Sequence, residues 1–160
     1  MSALLANLRP QAPLSTDIST PSDARLFDTV PLADSLTDAL LMYAAPDMRP
    51  RRETPLASDF ASHTYTFDAL NQYVSSGQWR ALALASQATI TQTPDPATAL
   101  RLWVYRALAV TQLHRTEQVE RELQRLSQVA RLAQWPFELR VLRATIGPPP
   151  VAIDRLSALL

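Results

Sequence analysis

The apolar residues change rhythm along the chain. From Phe67 onward they recur at helical spacing, and each run is bounded by residues that stop or start helices. Ala69, Leu70 and Tyr73 open a short helix that halts at Gly77, a good site for the left-handed helix-ending residue. Trp79, Leu82, Ser86 and Ile90 share one face of the next, which ends at Pro94. Its last stretch, 87–93, alternates like a strand, but no partner strand is nearby, so helix is predicted there too. Asp95-Pro96 supplies an N-cap followed by proline at the first helical position.

The helix after it, Ala97 to His114, places Leu100, Trp103, Ala107, Val110 and His114 on one stripe, with Leu102, Val104 and Leu108 elsewhere. So wide an apolar surface predicts packing on more than one side. Thr116 is placed to cap the following helix, with Glu117 in its first turn. Val119, Leu123, Leu126, Ala130 and Ala133 form its seam, and the Glu117–Arg121 and Glu122–Arg125 pairs read as an exposed face. Pro136 opens another helix that runs to Gly147 and the prolines 148–150, and Val151 to Leu160 reads as one more.

The first third reads differently. Seven of the 13 prolines fall before residue 56, interleaved with Ser, Thr and Asp. Proline removes a backbone donor and biases its predecessor away from helix, so long helices are excluded there. Residues 1–33 read as a disordered tail, 34–45 as one short amphipathic helix carrying Leu36, Leu40, Leu41 and Tyr43, and 46–65 as linker. The expected division is therefore 1–65, mostly disordered, and 66–160, an all-α domain.

Composition narrows the chemistry. There are 15 Arg and no Lys, so a phosphate-binding lysine, a Schiff base and a lysine general base are absent from the sequence. No Cys means no thiol nucleophile, disulfide or Cys-ligated metal. Gly77 and Gly147 lie 70 residues apart, which excludes a glycine-rich phosphate loop and a G-x-S-x-G elbow. Formal net charge is zero, so no global field recruits nucleic acid or an anionic membrane. The longest uncharged stretch, 14 residues from Ala81 to Pro94, is too short and too polar for a membrane span of roughly 20 residues. Nor does Met1–Leu8 resemble a secretory signal, so the chain is expected to be soluble and intracellular.

Short helices in antiparallel pairs prompt a search for periodicity. A tetratricopeptide-like frame of about 34 residues can be laid on the sequence. Its first unit has Tyr73, the Gly77 turn, Trp79 and Pro94. Its second has Trp103 and Ala107, the turn at His114, then Val119 and Leu123. A third has Phe137, Val141 and Ala144, then Ile153 and Ser157, and its second helix is incomplete at Leu160. Leu82 and Val119 stand where the motif expects a small residue. The predicted fold is all-α: tetratricopeptide-like helical-hairpin repeats, an α-solenoid, behind a Pro-rich tail. Such an array stacks each pair on its neighbour, and a short last helix is expected to leave Phe137, Val141 and Ile153 partly uncovered, a face for a partner.

Three blocks carry a family resemblance: Tyr73-x5-Trp79-Arg80-Ala81-Leu82, Leu100-Arg101-Leu102-Trp103-Val104-x-Arg106-Ala107-Leu108, and Trp135 to Ala144 with Pro136-Phe137-x-Leu139-Arg140-x-Leu142. With Pro150-x-Ala152-Ile153-Asp154-Arg155-Leu156, they resemble the subunit 12 family of the transport protein particle (TRAPP) complex over about residues 65–160. Members of that family continue through further helical repeats, and many carry a longer loop between the positions of Gln128 and Trp135. The resemblance implies a non-enzymatic accessory scaffold of a TRAPP III-type tether, active in endoplasmic reticulum to Golgi traffic and in autophagy. Its partners would be other TRAPP subunits and, indirectly, a Rab GTPase. The implied location is cytoplasmic, peripheral to the membranes of the ER–Golgi intermediate compartment and the Golgi. No catalytic residue carries over from the family motif, and no cofactor or metal is implied. The other reading is a generic repeat adaptor that clamps a peptide or helix of a different partner.

Individual residues suggest sharper chemistry, and each has a plainer explanation. His63 and His114, 51 residues apart, read as a linker residue and a solvated turn residue. A Ser–His–acid hydrolase is compatible with the plentiful Ser and Asp, but no spacing points to one. Arg49-Pro-Arg51-Arg52 is the densest basic cluster, yet Asp47 and Glu53 flank it, and each arginine adds only roughly 1 kcal/mol at an anionic surface. Pro10-x-x-Pro13 has the form of a polyproline ligand, and Thr20-Pro21 and Thr54-Pro55 that of proline-directed phosphorylation sites. Trp79, Trp103 and Trp135 read as core residues rather than a stacking platform. Arg101, Tyr105 and Arg140 are expected to project from the first helix of each repeat, though they do not define a partner-binding site.

Overall fold

The computed structural model describes residues 19–31, 43, 60, 62–146, 151–152 and 157. Among these residues the fold is all-α, with five helices: α1 (Phe67–Ser75), α2 (Trp79–Gln92), α3 (Pro96–Gln112), α4 (Thr116–Val129) and α5 (Phe137–Thr145). The described residues also include two single 3-10 turns, Ala24–Leu26 and Leu132–Gln134, and helical residues at Phe60, Val151, Ala152 and Ser157. The expected helix at 34–45 lies outside the described residues apart from Tyr43, which is exposed.

Local chemistry sets the helix ends. The Thr66 hydroxyl accepts the Ala69 amide, and the Asp95 carboxylate accepts the amides of Ala97 and Thr98. That Asp95 carboxyl is held below the usual carboxylate range by the Thr98 hydroxyl and then by the two backbone amides. Helix α1 closes with the amides of Gly77 and Gln78 donating to the carbonyls of Val74 and Tyr73. Helix α3 closes by the same pattern, His114 to Thr111 and Arg115 to Val110. Both closures require a left-handed residue, and Gly77 (φ +68) and His114 (φ +58) take it.

Helix α3 is the centre of the body. It touches α2, α4 and α5, and its contact with α2 is the most extensive. Alanines at 83, 85 and 88 on α2 and at 99, 107 and 109 on α3 are buried, so both helices present small residues to the core. Leu70, Leu82, Ile90, Leu100, Leu102, Trp103, Val110, Val119, Leu123, Leu126, Trp135 and Leu139 fill the rest. Stretch 87–92 is helical as expected, and the Thr89 and Thr93 hydroxyls donate back to the carbonyls of Ala85 and Thr89.

Three expectations are corrected. The cap position of α4 is Arg115, with Thr116 already the first helical residue, so the Thr116 side chain caps nothing. Ala133 does not continue the α4 seam: the helix stops at Val129, and Ala133 is exposed in the 3-10 turn, because Ala130 turns extended (φ −124, ψ 126). The largest difference concerns residues 19–31. They fall in the expected disordered tail, yet Leu26 and Val30 are buried in the core with the helices, and Phe60 and Tyr65 of the expected linker pack there too. Apolar residues two to four apart between prolines do not need a helix to be buried. They need only a surface to lie on.

Candidate binding face

That surface is formed by α3 and α4, with the end of α2 at its edge. The strap, residues 19–31, lies on it and is held at each end and in the middle. At its start, the Trp103 indole Nε1 donates to the Pro21 carbonyl at 2.9 Å, and the Ser22 hydroxyl donates to the Thr93 carbonyl at 2.7 Å. The Asp23 side chain then accepts the Arg25 amide and starts the 3-10 turn. This turn lowers Leu26 into the core and lays the Phe27 ring flat on Trp103, centroids 4.6 Å apart at 6°. Stacking of this kind adds about 0.5–1.5 kcal/mol beyond the area buried. The Arg106 guanidinium lies 5.5 Å from the centroid of the Phe27 ring.

Asp28 is read on all its polar groups. Its amide donates to Glu122 Oε1 at 2.9 Å. Its carbonyl accepts from Arg106 Nη2 at 2.8 Å and from Gln118 Nε2 at 3.1 Å. Its carboxylate accepts from Arg121 Nε at 3.1 Å and from Arg125 Nη1 at 2.6 Å. Burial pushes the Asp28 carboxyl up, but the hydrogen bonds from Arg125 and Arg121 and their charges outweigh it, and the group sits below the usual carboxylate range.

The polar floor under the strap is a buried ion pair. Arg106 and Glu122 are both 0% exposed and meet in a two-pronged contact, Nη2 to Oε1 at 2.6 Å and Nε to Oε2 at 3.0 Å. The remaining Arg106 donor, Nη1, reaches the Ala83 carbonyl and Gln87 Oε1. Gln118 donates to Glu122 Oε1 at 3.0 Å and accepts from Arg115. Every arm of the guanidinium is thus satisfied, as a charge out of water requires. This corrects the expectation that Glu122–Arg125 is an exposed helical pair: Glu122 turns inward to Arg106, and Arg125 turns to Asp28.

A sequence signal for the floor exists. Arg106 stands three residues after Trp103 and four before Val110, and Glu122 stands three after Val119 and four before Leu126. Both charges therefore occupy the core phase of their helices. No comparable signal marks Asp28, because the strap has no period.

Other singled-out residues fall elsewhere. Trp103 and Trp135 are buried and Trp79 is half-buried, as core residues should be. His114 is exposed at the α3–α4 turn. His63 Nδ1 lies 2.9 Å from Ser62 Oγ, but the two are chain neighbours on an exposed surface, where nothing desolvates a nucleophile. Among the described residues no three His, Asp or Glu side chains are grouped to hold a metal. Arg101 and Tyr105 join α3 to α1: the Arg101 guanidinium lies 5.1 Å from the Phe67 ring centroid, and the Tyr105 hydroxyl donates to Asn71. Arg140 covers the Phe137 ring at 5.7 Å, yet Phe137 remains 58% exposed. Leu132, five residues earlier in the chain, is also exposed. A concavity of about 260 Å³ lies between α4 and the end of α5, lined by Glu120, Leu123, Gln124, Arg143 and Ile146. Its size is below the roughly 300–1,000 Å³ of small-molecule sites. Thr20-Pro21 is part of the docked strap, with Pro21 buried. The Arg49–Arg52 cluster, Pro10–Pro13 and Thr54-Pro55 lie outside the described residues.

Among the described residues no helix is long and apolar enough to cross a membrane. Comparison of the chain with protein-family models, with curated proteins and with solved structures yields no match.

Proposed function

We propose that this chain is a non-enzymatic helical scaffold, an accessory subunit of a TRAPP III-type vesicle-tethering complex built on tetratricopeptide-like repeats. Two features support the repeat arrangement. Helices α1 and α3 end in the same hydrogen-bonded closure 37 residues apart, at Gly77 and His114. In addition, α3 touches α5 as well as α2 and α4, the neighbours that stacked hairpins would give it.

The observation that favours a docking role is Phe137. It opens α5 inside the sequence block that most resembles the TRAPP family, and it is exposed, as is Leu132 five residues earlier. A large aromatic left in water on a helical body is the kind of residue a partner subunit covers. Affinity purification from cells of the source organism, read by mass spectrometry, tests the assignment. Recovery of TRAPP core subunits, reduced in a Phe137→Ala variant, is the expected result, and their complete absence would overturn it. A second reading, an adaptor for an extended peptide of another partner, is favoured by the manner in which the strap is held.

A further inference from the structure

The floor beneath the strap draws most of its bonds from the helical body and keeps one N–H each of Arg106 Nη2 and Gln118 Nε2 for the strap. Arg106 and Gln118 each bond Glu122, and Arg106 is bonded again to Ala83 and Gln87, none of which belongs to residues 19–31. The ion pair is neutral as a unit. What the strap adds is one residue's amide and carbonyl laid across it, with a carboxylate between Arg121 and Arg125. Side chains arranged to read an extended main chain, beside an aromatic platform and slots for Leu26 and Val30, describe a peptide-recognition groove. They do not resemble a helix–helix seam, where backbone groups are spent inside each helix.

We propose that the α3–α4 face is a recognition groove for an extended peptide of the pattern Leu-aromatic-Asp-x-Val, and that residues 26–30 are its resident occupant in cis. The ligand in trans is a partner's segment of the same pattern, exchanged for the strap. Charge fixes the acidic position: Arg121 and Arg125 converge there on one carboxylate. A second copy is the weaker occupant. Swapping straps between copies restores the same contacts and adds the cost of association, whereas a partner brings contacts of its own. Because the strap shares a chain with its groove, a free peptide meets a competitor at an effective concentration on the order of millimolar. Exchange therefore requires a weakened strap or a multivalent partner. The groove does not depend on the TRAPP assignment.

The test uses the full chain with Leu26→Ser and Asp28→Ala, which removes two of the strap's side-chain anchors and leaves every groove residue intact. A fluorescent synthetic peptide of residues 19–31 is titrated into this variant and into the unmodified chain. The variant is expected to bind at least ten times more tightly, and the same peptide carrying Asp28→Ala is expected to lose about twofold to fivefold. A variant with its helical circular dichroism intact that does not bind the peptide overturns the proposal. Formation of a dimer between variant and unmodified chain, seen by light scattering, overturns the assignment to a partner and gives the groove to a second copy. Should the variant not fold, native-state hydrogen exchange on the unmodified chain decides. The Asp28 amide is expected to exchange through an opening that leaves the α3 amides protected. Exchange of Asp28 only together with α3 overturns the proposal.

Discussion

The helical body and the strap reach the same core by different means. In the body, burial follows period: each helix turns its own backbone groups inward and offers a stripe of side chains, so Leu100, Trp103, Ala107 and Val110 arrive in the core together. In the strap, only Ala24–Leu26 forms a turn, and the rest of its backbone is read by side chains of the body. The body thus spends apolar surface to hold itself. It spends buried charge, Arg106 and Glu122, to hold the strap. The difference shows that a core need not be built of one kind of segment, provided that each buried backbone group meets a donor or an acceptor.

Trp103 belongs to both regions, so its loss should have the largest effect. Trp103→Ala removes a fully buried indole, the platform under Phe27 and the bond to Pro21. It is expected to cost about 3–5 kcal/mol in urea unfolding. A variant with an unchanged midpoint would break the claim that the two regions share one core. Next, Arg106→Met leaves Glu122 as an unpaired buried charge and is expected to cost about 3–5 kcal/mol, while Arg106→Met with Glu122→Met should recover most of it. If the double variant is as unstable as the single one, the strap depends on the floor for more than its polarity.

Smaller effects separate the regions further. Asp28→Asn should cost only about 0.2–1 kcal/mol at neutral pH, because its partner arginines are partly exposed. Its signature is in the pH dependence. The folded Asp28 carboxyl is below its unfolded value of about 3.9, so its contribution is complete above that pH and is lost as pH falls through the folded value. Urea midpoints between pH 5 and pH 2 should therefore fall less steeply in Asp28→Asn than in the unmodified chain. An equal slope would show that the arginines do not hold the strap by charge. A change of comparable size lies in the body alone. His114→Gly relieves a side chain from the left-handed region and should stabilise the chain by about 1 kcal/mol, while Gly77→Ala should destabilise it by a similar amount. Helix closure at both sites is then confirmed by opposite shifts in melting temperature.

The proposed scaffold and the proposed groove lie in different places. Phe137 and Leu132 are at the α5 end, whereas Phe27, Asp28 and the arginines are on the α3–α4 face. The Phe137→Ala pull-down and the strap-peptide titration consequently report independently.

Much of the body was legible from single residues. Asp95-Pro96 marked the start of α3, Gly77 the end of α1, and the spacing of Leu123 and Leu126 the buried side of α4. Local chemistry decided those features, so a window of a few residues held the information. The strap was not legible. Its prolines exclude long helices, but the absence of a helix is not the absence of structure. Glu122 was misread for a related reason: an (i, i+3) arginine is the nearest partner along the helix, while Arg106 is nearer across the fold, at 2.6 Å.

What the sequence by itself determined, then, was the all-α body, its helix ends and its apolar seams, because short-range hydrogen bonding and the 3.6-residue period are written in consecutive residues. Tertiary structure alone decided where residues 19–31 lie and which cations meet which carboxylates. Asp28 lies 93 positions from Arg121 and 97 from Arg125, and only the packing of α3 on α4 brings a surface to which a segment without a period can bind.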